Sequence, residues 1–204
     1  HQEIFILGAE INQVDIYVGI MAGSGNNGGD GIAVARILQE EGVRAEINMV
    51  GDCAKLSKEA EVQLETAKKL KIPIHYGVGN ILYDVIVDAL FGIGITREIE
   101  GKYRKAVEAV NASKAKIVAI DIPSGVNADD GRIMGCAVKA DMTVTFAYRK
   151  LGLMLYPGAS CAGEVLCVPI GIPHAVTENK RTGVVTFTDV REDLRFPERI
   201  SWEE

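Results

Sequence analysis

The segment Asp15-Ile-Tyr-Val-Gly-Ile-Met-Ala22 is apolar on both faces once its first residue is passed. A strand of that kind needs cover above and below, which a central parallel strand receives from helices on each side. It runs directly into a glycine-rich turn, Gly23-Ser-Gly-Asn-Asn-Gly-Gly-Asp-Gly31, and then into Ile32-Ala-Val-Ala-Arg-Ile-Leu38. Val34 and Leu38 stand one helical turn apart, Arg36, Gln39 and Glu40 are placed to face water, and Gly42 is placed to stop the helix. A doubly covered strand, a turn and an amphipathic helix in that order point to a βαβ unit.

The alternation continues along the chain. Ala45–Val50 reads as a second strand, and Ser57 as the cap of a helix whose Ala60, Leu64 and Ala67 form one stripe ending before Pro73. Asp84–Asp88 reads as a buried strand, Lys102–Asn111 as a helix, and Lys116–Asp121 and Met142–Phe146 as further strands. Shorter strand candidates are Glu164–Val168 and Gly183–Phe187. Strands and helices alternating at this spacing predict a parallel sheet between two helical layers, a single α/β domain. Arg191–Glu204 is charged and weakly patterned, which predicts a tail or connector after a domain spanning residues 1–190.

Composition narrows the function. With 204 residues, 48% of them hydrophobic, the chain can bury one full core without disulfide staples. Lys+Arg number 22 against Asp+Glu 28, a net charge of -6, which argues against binding dominated by nucleic-acid backbone or anionic membrane. No apolar run approaches the roughly 18 residues of a membrane span, and no secretory signal opens the chain. Cys53, Cys136, Cys161 and Cys167 form no CxxC pair, so reduced thiols in a cytoplasmic protein are expected. The chain begins at His1 rather than methionine, which reads as a processed, tagged or truncated start. The 22 glycines are about one and a half times the usual share of roughly 7%. They mark places where the backbone turns or approaches a neighbour closely.

In an open parallel sheet, ligands bind in the crevice at the C-terminal ends of the strands. Three segments should meet there: Gly23–Gly31, Asp88-Ala-Leu-Phe-Gly-Ile-Gly94 and Asp121-Ile-Pro-Ser-Gly125. Gly23, Gly25 and Gly28 have GxGxxG spacing between a strand and a helix, where bare amides bind phosphate. Asp30, at the helix start, would repel a pyrophosphate lying directly on that terminus. It is placed either to accept hydrogen bonds from sugar hydroxyls or simply to cap the helix. Asp88 and Asp121 end apolar strands, and with Asn27 and Ser124 they form an oxygen-rich cluster suited to a hard cation, a monovalent ion better than magnesium. Each aspartate alone also suits a turn or cap. Lys150 can reach the same edge or merely face solvent. His75 and His174, beside Pro73 and Pro173, read as loop residues, and Trp202 lies in the tail.

Together, Gly25-Asn-Asn-Gly-Gly-Asp-Gly31, Val87-Asp-Ala-Leu-Phe-Gly92, Asp121-Ile-Pro-Ser-Gly125 and Lys150-Leu-Gly-Leu153 resemble the YjeF N-terminal domain family, the NAD(P)H-hydrate epimerases. The resemblance runs from about Val14 to Pro173. It implies a Rossmann-like three-layer α/β/α sandwich with a mostly parallel sheet, acting as an isomerase on the R and S forms of hydrated NADH and NADPH. A homodimer is implied, and a dehydratase, fused or separate, that completes cofactor repair. By the same resemblance Asn26, Asn27, Gly28, Gly29, Asp30, Gly92, Ile93, Gly94, Ile95, Thr96, Arg97, Glu98 and Asp121 hold the hydrated dinucleotide. Asn27, Asp88 and Ser124 match the potassium ligands. Family members carry a longer helical region before the glycine loop than the 22 residues here.

The chemistry expected of such a site is simple. The ring nitrogen expels the neighbouring hydroxyl as water once an acid protonates it, and water returns to the resulting iminium from the other face. Asp121 is the first choice of acid–base group, since burial in the crevice can raise a carboxylate's pKa. Lys150 is a further possible participant. The rival readings are a non-catalytic scaffold of the same fold and an NAD-dependent oxidoreductase, for which Glu46 would be the ribose-binding acid.

Overall fold

The computed structural model describes residues 16–79 and 81–171. The candidate strand Gly183–Phe187, His174, Trp202 and the tail from Arg191 lie outside the described residues. Seven strands form one sheet: β1 Tyr17–Ala22, β2 Arg44–Met49, β3 Ile74–Tyr76, β4 Val85–Ala89, β5 Lys116–Ile120, β6 Met142–Phe146 and β7 Glu164–Val168. Their order is β3-β2-β1-β4-β5-β6-β7, and every pairing is parallel. The expected mostly parallel sheet is therefore wholly parallel within the described residues. The chain reverses its direction of travel across the sheet between β1 and β4, and at that switch point a crevice opens beyond the strand ends.

Among the described residues three α-helices cover the two faces: α1 Asn26–Glu40, α2 Lys58–Lys69 and α3 Gly101–Ala112. Alternation along the strands divides the core. Val18, Ile20 and Ala22 of β1 pack with Ile32, Ala35 and Leu38 of α1 and Leu64 and Ala67 of α2. Met21 and Ile86 point the other way, toward Ala106, Val107 and Val110 of α3. Ile20, Ile32 and Ile86 are completely buried, and truncating any one to alanine would cost about 2–5 kcal/mol.

Helix ends follow the local chemistry. Ser57 caps α2 by accepting a hydrogen bond from the Ala60 N–H at 3.2 Å. Gly42, at φ +80°, closes α1 with the Val43 N–H donating to the Leu38 carbonyl at 2.8 Å. Lys71 takes the same left-handed role after α2, at φ 58°, and α2 ends at Lys69, four residues before Pro73.

Three expectations are corrected. His75 lies in the edge strand β3 rather than a loop, with Nε2 3.0 Å from Glu46 Oε2. Arg36 does not face water freely, because its guanidinium donates to Gln63 of α2. The glycine-rich "turn" is mostly helix, for α1 starts at Asn26 rather than Ile32. Glycine is a poor helix former, but packing overrides that preference here. A Cβ at Gly28 would lie 2.1 Å from the Gly23 carbonyl oxygen, and one at Gly31 would lie 2.4 Å from the Ala89 Cβ. These glycines let α1 press onto the ends of β1 and β4.

Candidate active site

The first turns of α1, the segment after β4 and the segment after β5 converge on one cavity of about 500 Å³. It is lined by Ser24–Asn27, Asp30, Leu90–Ile95, Asp121 and Phe146. Asn26, Asn27, Asp30, Gly92, Ile93, Gly94 and Asp121 from the sequence reading thus meet in space. Gly28 and Gly29 are buried beneath it and serve packing rather than contact. Ile95 touches the cavity but anchors its loop in the core on the α3 side. Thr96, Arg97 and Glu98 turn toward a neighbouring cavity of about 750 Å³, bounded by Phe91 and the start of α3. The two cavities share Phe91, Gly94 and Ile95, so a long ligand can extend across both.

Asp121 is the first residue after β5 and is held at φ +66°, a left-handed conformation that aspartate tolerates better than most residues. Its Oδ1 accepts from the Phe146 N–H at 3.1 Å and the Thr145 hydroxyl at 3.3 Å. Lys150 Nζ also donates to Oδ1, forming a largely buried ion pair, and it reaches Thr145 Oγ1 at 3.0 Å and the Phe146 carbonyl at 2.9 Å. Among the described residues every donor to this carboxylate gathers on Oδ1, which leaves Oδ2 unpaired on a residue that lines the cavity. Lys150 is therefore not a solvating surface lysine. Thr145 and Phe146 carried no sequence signal, because their contribution depends on β6 lying beside β5.

Asp88 is inside β4, its penultimate residue, and is completely buried. Oδ1 accepts from the Ser124 hydroxyl at 2.6 Å and the Leu90 N–H at 3.3 Å, while Oδ2 accepts from the Ser124 N–H at 2.8 Å. No cationic side chain among the described residues pairs with it. Burial pushes its pKa up to about 6, with the Ser124 and Leu90 hydrogen bonds pulling the other way. Above the carboxylate lie the Ser124 hydroxyl and the Phe91 carbonyl, 3.2 Å apart. Asn27 packs against the same segment: a Cβ at Gly92 would lie 3.3 Å from its side-chain Oδ1, the atom able to face a cation, while its Nδ2 is buried without an acceptor. One uncompensated carboxylate among neutral oxygens fits a hard monovalent cation, and no group of three or more His, Cys, Asp or Glu occurs among the described residues to favour a transition metal.

Asp30 lines the cavity from the second turn of α1 and does not cap it. The cap position is Gly25, with no side-chain hydrogen bond. Although one edge of Asp30 is exposed, the cavity wall dehydrates it, and this with the charge of Asp121 raises its pKa. Glu46 lies within β2 and faces His75, away from the strand ends, so it cannot serve as a ribose-binding acid in the crevice. All four cysteines are free, and no helix of the described residues is long and apolar enough to cross a membrane.

Residues 9–152 match the family described as YjeF-related protein N-terminus. The chain is similar to an NAD(P)H-hydrate epimerase of Levilactobacillus brevis, 46% identical over 75% of this chain and 72% of that protein. A second relative of the same name, from Oenococcus oeni, is 46% identical over 75% of this chain and 73% of the relative. A bifunctional NAD(P)H-hydrate repair enzyme of Thermofilum pendens is 40% identical over 88% of this chain, which spans 36% of that longer protein. The crystal structure of the yeast protein ynu0 superposes with a TM-score of 0.68 over 90% of this chain and 80% of that one, at 22% identity, and shares the fold.

Proposed function

Because the chain belongs to the family of YjeF-related protein N-termini, we infer that it is an isomerase that interconverts the R and S forms of hydrated NADH and NADPH. The observation that carries this reading is the meeting of Asn26, Asn27, Asp30, Gly92–Gly94 and Asp121 around one cavity at the sheet's switch point. The amides after β4 and at the start of α1 hold the dinucleotide, and the adjoining space beside Thr96, Arg97 and Glu98 takes the part remote from the reacting ring.

Asp121 stands at the reacting ring as the acid–base group, working through Oδ2. Lys150 and Thr145 fix the carboxylate through Oδ1 and keep its rotamer set for that task. A positioned carboxylate of this kind contributes about two to four orders of magnitude to a proton-transfer step. Asn27 of α1, Asp88 of β4 and Ser124 would hold a potassium ion, which would supply a fixed positive charge beside the buried Asp88 carboxylate. The domain spans residues 1–190. It works in the cytoplasm as a homodimer, alongside a dehydratase activity that consumes one epimer. The net charge of -6 argues against a partner held chiefly through a nucleic-acid backbone.

The test is direct. A single epimer of hydrated NADH is incubated with the chain in potassium chloride, and the ratio of epimers is followed by chromatography against the spontaneous rate. Acceleration that falls sharply in Asp121→Asn supports the reading. Inversion at the spontaneous rate refutes it.

A further inference from the structure

Inversion at the hydrated carbon uses both faces of the ring, because water leaves from one side and returns to the other. A single carboxylate at Asp121 serves only one of them. We propose that Asp30 is the second acid–base group of this site, acting on the ring face opposite Asp121; the proposal rests on the epimerase reading above.

Asp30 and Asp121 line the same cavity from different elements, Asp30 from α1 and Asp121 from the end of β5. The fold gives Asp30 no other task. It caps nothing, and no ion pair or hydrogen bond to its carboxylate occurs among the described residues. A carboxylate without protein partners on the wall of a cavity is free to meet a ligand there. The two environments also differ in kind. Asp121 is tied to the Lys150 ammonium, whereas Asp30 meets only the negative charge of Asp121 and a partly dehydrated wall. Two carboxylates placed in unlike surroundings divide acid and base roles between them.

The step balances without an oxidant or reductant. Protonated Asp30 gives its proton to the ring hydroxyl, the C–O bond breaks, and water leaves with the bonding electron pair. The ring nitrogen's lone pair forms the C=N bond of the iminium. A water on the Asp121 side then attacks that carbon, its oxygen lone pair forming the new C–O bond while the C=N pair returns to nitrogen. Asp121 Oδ2 accepts the proton the water releases. The reverse direction exchanges the two roles, and solvent restores the starting protonation.

The two halves can be read separately. Each epimer of hydrated NADH is incubated in ¹⁸O-labelled water with the unaltered chain, Asp30→Asn and Asp121→Asn. Inversion is followed by chromatography and oxygen exchange by mass spectrometry. Asp30→Asn is expected to lower inversion by about two orders of magnitude. It should still exchange the hydroxyl of the one epimer whose oxygen faces Asp121. Asp121→Asn should confine exchange to the other epimer. Asp30→Ser repeats the reading if the asparagine variant folds poorly, and Asp30→Glu should recover part of the inversion rate. Inversion by Asp30→Asn at the unaltered rate overturns the assignment, as does equal loss of exchange from both epimers. No inversion by the unaltered chain overturns the epimerase reading and this proposal with it.

Discussion

Removing potassium should destabilise the fold at neutral pH and hardly at all in acid, because of Asp88. Its carboxyl, ordinarily at 3.8, stands at about 6 in the fold, raised by burial. The folded chain therefore binds this proton more tightly than the unfolded chain, so Asp88 costs nothing below about pH 4. Its cost grows as pH rises toward 6 and is constant above. A difference of about two pKa units corresponds to about 3 kcal/mol. For a chain of this size that is roughly 6–12 °C in Tm. A cation on Asp88 offsets part of this cost wherever the carboxylate is ionised.

The assay is calorimetric Tm at pH 4.5 and 7.5, in potassium chloride and in tetramethylammonium chloride at equal ionic strength. Potassium should raise Tm by several degrees at pH 7.5 and by much less at pH 4.5. Asp30 titrates with the same sign, since its pKa is also raised. The difference between salts separates the two, because Asp30 is not among the cation's proposed ligands. Asp88→Asn should abolish the potassium increment. A potassium effect of equal size at both pH values, or none at pH 7.5, would refute the reasoning.

Lys150→Met should lower the epimerisation rate about tenfold to a hundredfold with little change in KM, because Asp121 loses the partner that orients it; a rise in KM alone would count against that role. Gly125→Ala should destabilise by more than about 3 kcal/mol in urea unfolding, since Gly125 stands at φ +98° and a Cβ there would lie 2.0 Å from the Cys136 carbonyl oxygen. Lys71→Gly should instead stabilise by about 1 kcal/mol, because the left-handed residue after α2 is then one without a Cβ; a loss of stability would show that the lysine side chain matters there.

Much of the site was legible because each of its three segments follows an apolar strand, and parallel strands put such segments on one edge. Asp121-Ile-Pro-Ser-Gly125 and Asp88–Gly94 needed only that rule to be brought together. Strand β3 was missed because its three residues are too short for a period, and its Ile74-His-Tyr76 pairs only at the sheet's edge. The start of α1 was missed for the opposite reason. Three glycines in its first turns, Gly28, Gly29 and Gly31, contradict helix propensity, and only the closeness of Gly23, Ala60 and Ala89 explains why a helix needs them there.

By itself, then, the sequence determined the alternation of strand and helix, the parallel sheet and which segments face the crevice, since these follow from periodicity and chain direction. Only the tertiary structure decided what each polar group there meets. Lys150 is 29 residues from the carboxylate it grips, and Ser124 is 36 from Asp88. Whether a carboxylate is paired with a cation, buried without one or open to a cavity depends on such long-range contacts. Lys150 gripping Asp121, Asp88 buried without a cation and Asp30 left bare on the cavity wall are therefore facts of the fold, and no local pattern encodes them.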